Sequence, residues 1–288
     1  MKPALKTLEP ADSAAALSFL APREFRCIAL VSSFMRNGTF AVPDPSAGEA
    51  VALISETGAI DGIVFISSIG FVFHCLGENI EKTRYAPLLK AWLSRKKIHS
   101  ILGCDPDTEW LGKLMPNRPW RTLEYRLMLM PNEGPTPAAL EKPSRLPQIR
   151  LRKAAKRDAE RILPLQIGYE EEEVIPPGET VRPDACLLGL KKALEKQRVF
   201  IAEANGEIAA KAGTNARGFQ WEQLGGVYTM PGLRGNGLAC YLTANAAKDI
   251  MNDGKRAALF VKVLNEAAKK AYIKAGFVPS VPFRISYF

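Results

Sequence analysis

The feature that constrains this chain most is Gly232–Ala239, GLRGNGLA, set between two runs of opposite character. Ahead of it, Gln223–Thr229 reads as a strand. Behind it, Leu238, Leu242, Ala246 and Ile250 recur every four residues, the spacing of a buried helix face. A strand that passes into a helix through glycines leaves backbone N–H groups bare at the positive end of the helix dipole. Gly235 and Gly237 let a ligand approach that backbone. The junction suits a pyrophosphate, and Arg234 can add a charge-assisted contact. Two glycines taken alone favour a plain turn with a solvated Arg234. The spacing is not GxxxxGK(S/T), which excludes a P-loop. It is not GxGxxG followed by an acidic residue, which argues against a Rossmann site.

The elements around the junction alternate between the two periods. Ile149–Ala154 reads as a strand and Ala159–Ile167 as a short helix. After a break at Pro176–Gly178, Asp184–Gln197 reads as an amphipathic helix, with Leu187, Leu188, Leu190 and Leu194 apolar and Lys191, Lys192 and Lys196 outside. Asn205-Gly206 between two β-like runs is a strong hairpin signal. Ala257–Val263 is a strand, apolar except for Lys262, and Asn265 opens a helix that ends at Gly276. One or two strands close the chain. The N-terminal half gives the same order less sharply: a helical region at Asp12–Met35, strands at Ala50–Glu56, Gly62–Ile69 and Phe71–Leu76, a helix at Glu81–Lys96, a strand at Ile98–Gly103, a helix at Thr108–Leu114 and a strand at Arg121–Met130. Between the halves, Pro131–Ile149 holds five prolines, which remove backbone donors and favour an extended linker. The expectation is a mixed α/β (α+β) fold in two similar domains: 1–130, a proline-rich linker at 131–148, and 149–288.

Bulk properties narrow the chemistry. The five cysteines stand singly with no CxxC pair, and there are only two histidines, which argues against a disulfide framework or a metal site. No signal peptide is evident, and no apolar run reaches the ~20 residues that a membrane span needs. A reducing cytoplasm is the expected compartment. The net charge of +9 is uneven: residues 148–288 carry 22 basic against 15 acidic groups, and residues 1–147 carry 17 against 15. The surplus sits in the half with the candidate anion site. Without aromatic-basic interleaving, nucleic acid is not the expected partner.

At GGVYTMPGLRGNGLA (225–239) the sequence resembles the acyl-CoA-binding motif of the GNAT superfamily of N-acyltransferases. Arg234, Gly237 and Ala239 match its (Q/R)-x-x-G-x-(G/A) signature, and Val227 and Pro231 match its lead-in. NEAAKKAYIKAGF (265–277) resembles the family's later motif. The resemblance covers residues 149–288. It implies that the backbone of Arg234, Gly235, Asn236, Gly237, Leu238 and Ala239 cradles the pyrophosphate of acetyl-CoA. It implies that Val227, Tyr228 and Thr229 pair with the pantetheine arm, one amide polarising the thioester carbonyl. It implies that Asn265 contacts the cofactor and that Tyr272 is the general acid at the thioester sulfur.

The residues support part of this on their own. Tyr272 shares a helix face with Ala268 and Ala275, so its phenol points inward and needs a partner. The other reading is a half-buried core tyrosine. Asn265 also serves as an ordinary N-cap. Cys240 lies near a helix N-terminus, which lowers a thiol pKa, but it reads as a small core residue. An amine acceptor must lose a proton before it attacks. The strand carboxylate that many family members use for this is missing at Gln223–Gly226. Glu222 is one substitute; the run Glu170–Glu173 is another, with Glu171 and Glu172 as candidates and a solvated acidic turn as the alternative. The N-terminal half has no such motif at its matching place, SSIGFVFHCLGEN, and is expected not to bind coenzyme A.

The implied activity is acetyl transfer from acetyl-CoA to a primary amine by direct attack. One alternative is a non-catalytic acyl-CoA-binding regulator. The other is a tRNA-dependent aminoacyltransferase, which also doubles this fold but has no need of the intact pyrophosphate loop.

Overall fold

The computed structural model describes residues 2–146, 148–175 and 179–288, so the expected break at Pro176–Gly178 lies outside the described residues. The elements run β1 (Ala4–Thr7), α1 (Ser13–Leu20), α2 (Ile28–Ser33), β2 (Met35–Arg36), β3 (Thr39–Phe40), β4 (Gly48–Ile54), β5 (Ile60–Ser67), β6 (Phe71–Leu76), α3 (Lys82–Leu93), β7 (Ser100–Cys104), α4 (Asp105–Lys113) and β8 (Arg121–Leu129). They continue with α5 (Pro137–Leu140), β9 (Arg150–Lys153), α6 (Ala159–Tyr169), α7 (Pro183–Lys196), β10 (Val199–Ala204), β11 (Glu207–Arg217), β12 (Trp221–Thr229), α8 (Leu238–Asn252), β13 (Arg256–Lys262), α9 (Glu266–Ala275) and β14 (Val278–Tyr287). Apart from the small β2–β3 ladder and the short α5, the order β-α-α-β-β-β-α-β-α-β occurs twice.

The chain forms two compact units. Unit 1 holds Met1–Leu127, Arg217–Trp221 and Ser280–Phe288; unit 2 holds Met128–Ala216 and Glu222–Pro279. These limits differ from the expected segments, because strands follow their hydrogen-bond partners rather than their place in sequence. The second half of β14, Phe283–Tyr287, pairs antiparallel with β7, Phe283 opposite Cys104. The Pro-rich stretch is no bare spacer: Ala139 is buried in the core of unit 2, and Thr136 Oγ1 donates to the Lys274 carbonyl at 2.8 Å.

Unit 1 orders its strands β1-β4-β5-β6-β7-β14-β8; from β1 to β14 the neighbours pair antiparallel, apart from the parallel β6 and β7. The sheet is covered on both faces. In β4, Ala50 and Ala52 pack with α1 and α2 residues such as Leu20 and Leu30, while Val51 and Leu53 pack with Leu89 and Leu93 of α3. Successive strand residues point to opposite faces, so a strand covered on both reads as continuously apolar. The expected helix over 12–35 is broken, because Pro22 and a 3₁₀ segment at Ala21–Arg26 separate α1 from α2. The edge strand β1 was not expected from sequence; its burial is slight, so it carries little apolar pattern.

Unit 2 orders β13-β12-β11-β10-β9 and uses the same two-faced plan. Val199 and Ile201 of β10 meet Ile162, Leu165 and Leu190 of α6 and α7. Phe200 and Ala202 meet the α8 face of Leu238, Leu242, Ala246 and Ile250. Among the described residues no helix is long and apolar enough to cross a membrane.

Candidate active site

The site begins in the middle of β12. Gly226 has φ +58°, a left-handed value that interrupts an extended strand and that L residues with side chains adopt at a cost. The strand resumes as Val227–Thr229, which turns through Met230 and the 3₁₀ segment Pro231–Leu233 into α8. Gly237 is the N-cap of α8 with φ +82°. Among the described residues, the N–H groups of Gly235, Asn236 and Gly237 have no hydrogen-bond acceptor. The first-turn N–H groups of α8 lack helical partners by geometry. The loop is thus a row of bare donors at the positive end of a helix of 15 residues.

A cleft of about 400 Å³ opens beside it. Nine of the ten residues expected at the cofactor line this cleft; Asn236 lines a second hollow across the loop, with Lys142, Arg145 and Lys274. Its side chain ties the turn, Nδ2 donating to the Leu233 carbonyl at 3.0 Å. Asn265 is the N-cap of α9 and also lines the cleft. Its Oδ1 caps α9 by accepting from Ala268 N at 3.0 Å, and its Nδ2 donates to Glu173 at 3.1 Å on the cleft wall.

Tyr272 also lines the cleft. It is buried, its ring lies edge-on to Phe277, and its hydroxyl has no hydrogen-bond partner among the described residues. Burial pushes its pKa up, with Tyr169 and Glu173 adding to the rise. The phenol therefore keeps its proton at neutral pH and can donate it.

The glutamate run forms a π-helical turn, Glu170–Val174. Glu172 reaches the cleft and accepts two hydrogen bonds from Arg234 Nη2, at 2.8 and 2.9 Å, and one from the Tyr228 hydroxyl at 3.0 Å. The Arg234 bond, aided by Tyr228, holds the Glu172 carboxyl below its ordinary range. Arg234 Nε also donates to the Thr229 carbonyl at 3.0 Å. Glu171 is exposed and does not line the cleft. Glu222 is placed elsewhere altogether: it is fully buried, with Arg198 Nε at 2.8 Å and Lys255 at 3.5 Å, an ion-paired carboxylate in the core rather than a base in the cleft. Cys240 is buried, and desolvation raises its thiol pKa, overriding the helix N-terminus that was expected to lower it.

Sequence reasoning did not single out Glu173 within its glutamate run, gave Lys262 no role and passed over Lys211. Glu173 is ion-paired to Lys262 at 2.8 Å and lines the cleft. Lys211 of β11 is buried, over the Tyr169 ring at 4.7 Å. The signal for both lysines was present: each is the single charge in an apolar run, Lys211 in Ile208–Ala212 and Lys262 in Ala257–Val263. Among the described residues no cluster of His, Cys, Asp or Glu could hold a metal ion.

Residues 165–277 match the model of the Acetyltransferase (GNAT) family. Several solved structures share the fold over almost the full chain. A Drosophila protein matches with TM-score 0.66 at 13% identity, covering 99% of this chain and 98% of its own. A GCN5-related N-acetyltransferase from Sphaerobacter thermophilus matches with TM-score 0.58 at 14% identity, covering 98% and 94%. A tandem GNAT protein from the clavulanic acid biosynthesis pathway matches with TM-score 0.56 at 11% identity, covering 99% and 98%. No curated protein matches the sequence.

Proposed function

We propose, from the GNAT-family domain that residues 165–277 form, that the chain transfers an acetyl group from acetyl-CoA to a primary amine. The observation that carries this reading is the meeting of two features in one cleft: the bare N–H row at Gly235–Gly237 and the partnerless hydroxyl of Tyr272. Glycines with room around them fit a diphosphate. A Cβ added at Gly235 would meet nothing within 4 Å. The amides of Gly235–Ala239 would hold the pyrophosphate and the Arg234 side chain would add charge, its own amide being bonded to the Pro231 carbonyl at 3.3 Å. Val227–Thr229 would run beside the pantetheine arm. The amine would attack the thioester directly, with no covalent enzyme intermediate, so that catalysis rests on positioning and on amide stabilisation of the developing oxyanion. Tyr272 would protonate the departing sulfur. Of the two carboxylates that line the cleft, Glu173 is paired with Lys262, and Glu172 would take the amine's proton. The Sphaerobacter protein that shares the fold is an N-acetyltransferase, the reaction class proposed here.

Isothermal titration with acetyl-CoA tests the binding half, and turnover over a panel of amines tests the chemistry. Folded protein that gives no heat at submillimolar acetyl-CoA would sink the proposal. One observation favours a second reading, a non-catalytic acyl-CoA-binding protein: with Glu222 locked against Arg198, β12 offers no free carboxylate. Turnover with any amine, lost in Tyr272→Phe, would exclude it.

A further inference from the structure

Lys211 is a buried cation that the reaction just described does not use. Its side chain leaves β11 and is 4% exposed as a residue. Its Nζ donates to the Gly226 carbonyl at 2.8 Å. Among the described residues that carbonyl is its sole hydrogen-bond acceptor, and no carboxylate pairs with it. The groups facing it are the Tyr169 ring, Glu170 and Cys186. Glu170 is itself engaged, accepting from Gln166 Nε2 at 2.9 Å and from Cys186 Sγ at 3.4 Å. Desolvation brings the Lys211 pKa down to about 7. An unpaired buried lysine is costly, and a methionine or leucine would fill the same space without that cost. A strongly desolvated ionisable group is a candidate functional position.

The place is informative. Gly226 C=O and Val227 N–H belong to one peptide group, and in a trans peptide the two point in opposite directions. The carbonyl faces Lys211, so the N–H faces away from it, and Val227 lines the cleft. A donor on the carbonyl of an amide polarises it and strengthens its own N–H as a donor. The left-handed Gly226 sets the orientation of this peptide, and a Cβ there would lie 3.3 Å from Lys211 Nζ.

We propose that Lys211 is a positioning residue that aims and polarises the Gly226–Val227 peptide as the donor to the acyl carbonyl oxygen. The inference rests on the acyl-transfer reading above. No bond is made or broken by Lys211; it acts through the peptide, and its loss weakens stabilisation of the oxyanion rather than binding. Removing one whole donor of this kind costs about 10²–10³ in turnover, so removing its polariser costs less, roughly tenfold.

The test combines kinetics with infrared spectroscopy of bound acetyl-CoA labelled with ¹³C at the acetyl carbonyl, in wild type, Lys211→Met and Lys211→Gln. The expected result is a carbonyl band at lower frequency than in free solution for wild type. That shift is smaller in Lys211→Met and partly restored in Lys211→Gln, whose amide can still donate. Turnover falls about tenfold in Lys211→Met, while the Kd for coenzyme A, which has no acyl carbonyl, changes less than about threefold. Coenzyme A binding also reports that the variants are folded. A Lys211→Met protein with the wild-type band overturns the inference, whatever its turnover, and leaves acyl transfer standing. A wild type that binds no acetyl-CoA overturns both.

Discussion

The two units repeat one element order yet differ at the single junction where a strand hands over to the third helix. In unit 2, β12 passes through Gly235–Gly237 into α8, and the backbone donors there are bare. In unit 1, β6 passes through Gly77–Ile80 toward α3, and two of the four backbone donors there are taken. Gly77 N bonds the Asp61 carbonyl at 2.7 Å, and Ile80 N bonds the Gly77 carbonyl at 3.3 Å. Acid replaces base as well: Glu81 stands at the N-cap position of α3 and pairs with Arg84 at 2.6 Å, and Glu78 faces Arg26 at 3.6 Å. The polar groups of the helix that follows diverge in the same way. Thr108 Oγ1 lies 2.8 Å from His74 Nε2 in a closed pair, whereas the Tyr272 hydroxyl is left partnerless. The fold supplies the platform; the few residues at one strand–helix junction decide whether it can hold an anion.

The largest effect that would sharpen this contrast is on chemistry in unit 2. Tyr272→Phe should lower kcat by about 10²–10³, the range for loss of a general acid, with the Kd of acetyl-CoA within about threefold. Steady-state kinetics beside calorimetry separates the two, and an unchanged kcat would remove Tyr272 from the reaction. The next effect is on binding. Gly237→Val places a β-branched residue at φ +82°, which should strain the loop and weaken acetyl-CoA binding by roughly 100-fold. Asn79→Ala at the matching junction of unit 1 should leave the Kd within about twofold. If Asn79→Ala weakens binding as much as Gly237→Val does, the contrast between the units is broken.

A third effect belongs to unit 1. Burial lowers the His74 pKa to about 4, and its Nδ1 has no partner. The unfolded histidine titrates near 6.5, so between those values the unfolded chain binds more protons than the folded one. Stability is full above pH ~6.5 and falls as the pH drops toward 4. At pH 5 the loss from this group alone is about 2 kcal/mol, roughly 30-fold in the folding equilibrium. Urea midpoints at pH 7 and pH 5 should therefore differ more in wild type than in His74→Gln. Equal differences would show that His74 is not buried neutral.

The sequence carried the repeat, the α8 face and the loop, because these rest on local signals: helical period, strand runs and glycines at fixed spacing. It did not carry partner choice across strands. Glu222 and Glu172 are both glutamates beside turns, yet one is drawn into the core by Arg198 and the other into the cleft by Arg234. Nothing local separates them, since Arg198 and Arg234 are distant in sequence from the carboxylates they choose. For the same reason β14 could be read as a strand but not assigned to β7, its neighbour in unit 1.

The smallest effect concerns that chosen pair. Glu172 accepts from Arg234 where the proposal places a pyrophosphate, so carboxylate and phosphate would compete for one guanidinium. Both partners are about half exposed, so the bond is screened and worth little on its own. Glu172→Gln keeps the shape and the contact to Tyr228 but removes the negative charge. Arg234 would then turn to a phosphate without first losing a charged partner, and like-charge repulsion in the cleft would fall. Coenzyme A should bind about two- to threefold tighter to Glu172→Gln, a change of well under 1 kcal/mol. Turnover should fall about tenfold or more if the carboxylate takes the amine's proton. Tighter binding with slower turnover identifies Glu172 as both competitor and base. Tighter binding with unchanged turnover would keep the competition and dismiss the base. Weaker binding would show that Glu172 holds Arg234 in place for the cofactor rather than against it, and the junction of unit 2 would then owe its anion site to an acid as well as to its glycines.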